Sequence, residues 1–137
     1  MISAQGNRFT THPLFNFSSF DTLNLTYGIH YFEDTSCWAV GFKNAWGVGE
    51  NEIPYLVYYD NAKNSITREY DPPTTKIPWH VHFANKNNGW CVGDSGLILQ
   101  YVNNNWQMMN YPTDEFLVAV FTIDATNAWV AGGMAIY

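Results

Sequence analysis

The amino-acid sequence predicts an all-β fold assembled from repeated four-stranded antiparallel meanders, and three observations carry that expectation. No stretch of a dozen residues places apolar side chains at i, i+3, i+4 and i+7, and strong helix formers are scarce. Short runs rich in β-branched and aromatic residues alternate with Asn, Asp, Gly and Pro; examples are Leu56-Val57-Tyr58-Tyr59, Trp79-His80-Val81-His82-Phe83 and Leu117-Val118-Ala119-Val120-Phe121. One layout recurs three times, over 29–41, 81–93 and 120–132: an apolar strand, a polar turn, then Trp-x-(Val or Ala)-Gly.

The first repeat is expected over about 23–71, with Ile29-His30-Tyr31-Phe32 as a strand and Trp38-Ala39-Val40-Gly41 as the motif. Its hairpin between second and third strands, 42–54, is much longer than its counterpart in the next copy. The second repeat, 79–112, is the most legible. After Trp90-Cys91-Val92-Gly93 come a tight turn at Asp94-Ser95-Gly96, a third strand from Leu97, an Asn-rich turn and a fourth strand from Trp106, ending near Pro112. The third repeat, 116–137, contains Trp129-Val130-Ala131-Gly132 and reaches what corresponds to a third strand. Residues 6–13 resemble a fourth strand followed by Pro and are expected to supply a closing strand. Trp38, Trp90 and Trp129 lie 52 and 39 residues apart. Asn44-Ala45-Trp46-Gly47-Val48-Gly49 offers a rival anchor for the first copy, but the match through Trp38 extends further.

A chain of 137 residues allows one domain, 1–137. Hydrophobic residues at 47% and charged residues at 13% exclude a disordered tail, a coiled coil and a collagen-like rod. The formal charge of −6 lacks the electrostatic footprint of a phosphate-backbone binder, so nucleic acid is not an expected partner. No apolar run reaches the length needed to cross a bilayer, and no membrane insertion is expected. Two cysteines make neither a disulfide framework nor a zinc site.

The repeat Asn88-Gly89-Trp90-Cys91-Val92-Gly93-Asp94-Ser95-Gly96-Leu97-Ile98-Leu99-Gln100-Tyr101, with Trp106, resembles bacterial β-propeller repeats. Such repeats occur in photosystem II assembly and stability factors and in many secreted or surface proteins. The resemblance covers about 23–137. It implies β-propeller blades, about three in this chain, and an extracellular or cell-surface location. Propellers have four or more blades. Three therefore imply part of a larger propeller, or half of a six-bladed ring completed by a second copy. The chain departs from the assembly factors in having no basic patch, with Arg8 and Arg68 its only arginines, and it lacks a sialidase-type Asp-box.

Candidate chemistry is sparse. Trp38, Trp90 and Trp129 are expected to pack between sheets. His80 and His82 share one face of a strand and offer two metal ligands, or imidazoles hydrogen-bonded between blades; matching them to Ile29 and Tyr31 puts His30 on the other face. Cys37 and Cys91 point away from their tryptophan faces as buried thiols. The long hairpin holds the expected partner-binding residues: Trp46 and Tyr55 as stacking rings, and Glu50, Asn51 and Glu52 as acceptors. No catalytic constellation, metal site or cofactor motif is found. These features predict a non-catalytic scaffold that presents hairpin loops to a protein partner or self-associates as a homodimer. A carbohydrate-binding propeller is the alternative, and a glycoside hydrolase fragment a more distant one.

Overall fold

Thirteen strands and one 3₁₀ turn occupy the described residues of a computed structural model, namely 2–5, 8–11, 22–45, 52–133 and 135–136. Strands β1 (Ile2–Gln5) and β2 (Arg8–Thr11) pair as a hairpin. The first four-stranded sheet runs in order through β3 (Thr22–Tyr31), β4 (Cys37–Ala45), β5 (Ile53–Asp60) and β6 (Ser65–Tyr70). The second runs through β7 (Pro78–Asn85), β8 (Asn88–Gly93), β9 (Ile98–Val102) and β10 (Asn105–Met108). The third has three described strands, β11 (Leu117–Thr122), β12 (Ala128–Gly132) and β13 (Ala135–Ile136). Every pairing is antiparallel between consecutive strands, so the all-β meanders are as the sequence predicts. No described strand closes the sheets into a ring: β2, expected at the edge of the third sheet, has β1 as its partner.

Turn chemistry matches the asparagines. Asn103 and Asn104 both adopt left-handed backbone (φ 52° and 61°), the geometry of a two-residue hairpin between β9 and β10. In the 3₁₀ turn, Ser95 and Gly96 are also left-handed. The expected long hairpin is in part extended strand, because pairing between β4 and β5 continues out to Lys43 opposite Ile53.

Cross-strand register places the three repeats in one frame. Trp38 pairs with His30, Trp90 with His82 and Trp129 with Phe121. Trp38 is therefore the first sheet's anchor in the same register as the other two. The tryptophan face of the first sheet packs on the opposite face of the second, burying Trp38, Val40 and Leu56 with Val81, Phe83, Cys91, Leu99, Tyr101 and Trp106. The tryptophan face of the second sheet meets the third through Val92, Leu117, Val120 and Val130, with Trp90 partly buried. On the far face of the first sheet, Cys37, Ala39, Tyr55, Val57 and Tyr59 form a third buried cluster. Both cysteines are free and buried, each on the face opposite its tryptophan. Burial alone raises their pKa, to about 11 for Cys37 and further for Cys91, so both stay thiols at neutral pH.

One anchor departs from expectation. Trp129 is 59% exposed, whereas Trp38 is 2% exposed. The motif only sets which face the indole occupies; burial needs a sheet on that face, and none of the described strands covers the third sheet's.

Candidate functional site

The motif glycine explains how a rim of aromatic side chains arises. Gly41, Gly93 and Gly132 pair with Thr26, Pro78 and Leu117 on the first strand of each sheet, and in all three the next register step skips one residue. The skipped residues are Tyr27, Trp79 and Val118. Each is the extra residue of a β-bulge, a device that bends a strand and re-aims its side chain. Gly93 and Gly132 are needed because the backbone leading into the bulged strand presses close. A Cβ on Gly93 would lie 2.0 Å from the Ile77 carbonyl oxygen, and one on Gly132 would lie 2.3 Å from that of Phe116. Space, not backbone dihedral, excludes a side chain at Gly93, whose φ of −164° is extended.

The re-aimed rings meet across the seams. Tyr27 and Trp79 have ring centroids 4.0 Å apart, tilted at 31°, and Trp79 lies 5.0 Å from Phe116. Tyr27 also touches Phe42, at 5.7 Å. Consecutive sheets thus contribute Tyr27, Trp79 and Phe116 to one aromatic arc, in which Tyr27 and Phe116 are exposed by 42% and 43%. Trp79 stands at the start of β7, Phe116 just before β11 and Tyr27 midway along β3; the Asp94-Ser95-Gly96 turn lies at the same end of the second sheet as Trp79. Lys76 Nζ donates to the Ser95 carbonyl oxygen at 2.5 Å, and the Ile77 N–H donates to Asp94 Oδ1 at 2.7 Å, pinning that turn to the strand that leads into Trp79.

Of the residues the sequence singles out, Trp46, Glu50 and Asn51 lie outside the described residues. Glu52 is exposed just before β5; burial first, and the Glu52 carboxylate second, raise the Tyr27 phenol's pKa. Tyr55 is fully buried, and its hydroxyl is 2.8 Å from the Thr26 hydroxyl. Its alternation along β5 turns the ring into the third buried cluster, so it packs the scaffold beneath the rim instead of stacking on a ligand.

The histidines occupy the seams. His30 shares the tryptophan face with His82, not the opposite face, because the cross-strand partners Trp38 and Trp90 set them in one register; counting along the strand without the bulge and the unequal turns misaligns them. His30 Nδ1 accepts from the Phe83 N–H at 3.3 Å, His80 Nδ1 from the Val120 N–H at 3.2 Å, and His82 Nδ1 from the Thr122 N–H at 3.0 Å. Each bond joins the first strands of neighbouring sheets, and each requires an imidazole unprotonated at Nδ1. Burial dominates the lowering of all three pKa values; that of His30 falls to about 4, with His82 and His80 adding repulsion. Among the described residues no group of His, Cys, Asp and Glu side chains has the geometry to hold a metal ion.

A mostly apolar cavity of about 190 Å³ opens beside Trp90 on the second seam, against Ile98, Leu117, Ala128 and Val130.

No protein-family model and no curated protein matches this chain.

Proposed function

We propose that this chain is a non-catalytic binding module made of β-propeller blades, which uses one rim to contact a protein partner. The observation that carries the reading is the arc of Tyr27, Trp79 and Phe116, whose first two rings stand at bulges of the repeat itself. Aromatic rings held on strands present large contact area at low entropic cost, the usual anchors of protein recognition. The sheet-on-sheet packing, with tryptophan faces turned to the next sheet and first strands adjacent, supports the propeller reading. The net charge of −6 favours a basic or neutral partner surface over an acidic one.

A carbohydrate ligand is the second reading, favoured by the close Tyr27–Trp79 pair, in which Tyr27 is exposed and offers a stacking face. One comparison separates the two. A photo-crosslinking side chain at Phe116 should capture a protein partner, and Tyr27→Ala with Phe116→Ala should weaken binding of that partner about tenfold or more. Strong binding on a glycan array that disappears in the same double variant would overturn the protein reading in favour of the sugar.

A further inference from the structure

The tryptophan face of the third sheet is the one instance of the repeated face that no described sheet covers. Phe121 and Trp129 pair across β11 and β12 and are 58% and 59% exposed; Ile123, two residues beyond Phe121, is 51% exposed. Ala119 and Ala131 continue the face and carry no charge. The equivalent faces of the first two sheets are the two interfaces within the chain, each covered by the opposite face of the following sheet. The open face therefore continues a type of interface the chain has already formed twice.

We propose that this face is a homodimer interface, in which the Phe121–Trp129 surfaces of two copies meet across a two-fold axis. Two observations select a second copy in that arrangement. A head-to-tail contact would need the far face of the first sheet, but Cys37, Ala39, Tyr55 and Val57 there are already 0–3% exposed and can accept no further sheet. The same patch on both subunits is then the remaining geometry, and a closed one. The third sheet also breaks the polar pattern of the other two. Where His30 and His82 each accept a backbone N–H from the next sheet, the same register position carries Phe121. Without that directional acceptor the face asks nothing polar of its partner, so it is complementary to itself. Soluble monomers rarely expose an apolar patch of this kind without an occupant.

The test is molecular mass by sedimentation over a dilution series of the full chain. The expected result is a species of twice 15.7 kDa at about 100 μM that dissociates on dilution. Phe121→Ser with Trp129→Glu should weaken association at least a hundredfold. Both positions are exposed in the monomer, so an unchanged far-UV spectrum is expected of the variant. Emission from Trp129, taken as the difference between the parent chain and Trp129→Phe, should shift to the blue as concentration rises. Tyr27→Ala should leave the mass unchanged, which keeps this interface separate from the rim. A parent chain that remains a monomer at about 100 μM, or a double variant that still dimerises, would overturn the proposal; a monomer would assign the face to an occupant other than a second copy.

Discussion

Three tryptophans in one motif meet three different environments, and the reason lies in what a sequence pattern records. Trp-x-(Val or Ala)-Gly fixes the strand, its phase and the indole's face, so Trp38 as a core residue was legible. Exposure of Trp129 was not, because it depends on a neighbouring sheet and not on the strand. The motif glycine was readable as recurrent but not as necessary, since its reason is a carbonyl from another strand. Gly93→Ala places a methyl 2.0 Å from the Ile77 oxygen and 2.9 Å from Pro78 Cα, both backbone atoms that cannot swing away. The substitution should destabilise the chain by about 2–3 kcal/mol through forced backbone shifts. A urea midpoint lowered at constant slope is the measurement, and a loss under about 0.5 kcal/mol would show that the bulge tolerates a side chain there.

At the scale of elements, the first strands β3, β7 and β11 carry most of what is distinctive. Their bulges move Tyr27 and Trp79 out of alternation, so a period-two reading treats them as ordinary strand residues and misses the arc. None of the three rings is among the binding residues the sequence singles out, and of those Trp46, Glu50 and Asn51 lie outside the described residues. The histidines of these strands make the seams sensitive to pH, with a definite sign. Their folded pKa values lie below the unfolded value of 6.5, so between the two the unfolded chain binds more protons. Stability should be full above about pH 6.5 and fall as the pH drops toward 4, where protonation removes the Nδ1 acceptors from the Phe83, Val120 and Thr122 amides. His82→Asn supplies a carbonyl oxygen as acceptor and cannot titrate. Urea midpoints measured from pH 7.5 to 4.5 should fall less steeply in that variant than in the parent chain. Equal slopes would mean that carboxylates, not this seam, govern the acid response.

Across the whole molecule the two seams differ in kind, and the difference orders their stability. The first sets Trp38 of the first sheet among Phe83, Tyr101 and Trp106 of the second, at ring-centroid distances of 5.4–6.2 Å, and adds a hydrogen bond from Arg68 to the Tyr101 hydroxyl at 2.6 Å. Ring pairs of this sort, stacked for Trp38–Phe83 and edge-to-face for the other two, each contribute about 0.5–1.5 kcal/mol beyond their buried area. The second seam has aliphatic contacts, ring contacts only near its edges, of Trp79 with Phe116 and His82 with Phe121, three bonds to His80 and His82, one from Gln100 to the Ala125 carbonyl oxygen, and the cavity beside Trp90. A stack whose units touch only their neighbours comes apart first at its weakest interface. The third sheet should therefore open before the other two. In native-state hydrogen exchange under mild denaturant, amides of β11 and β12 should exchange through a sub-global opening while those of β8 and β9 wait for global unfolding. The gap should narrow when Ala128→Val fills part of the cavity, since cavity filling commonly adds about 0.5–2 kcal/mol. A single opening free energy shared by all four strands would instead make the three sheets one cooperative unit, with the second seam as strong as the first.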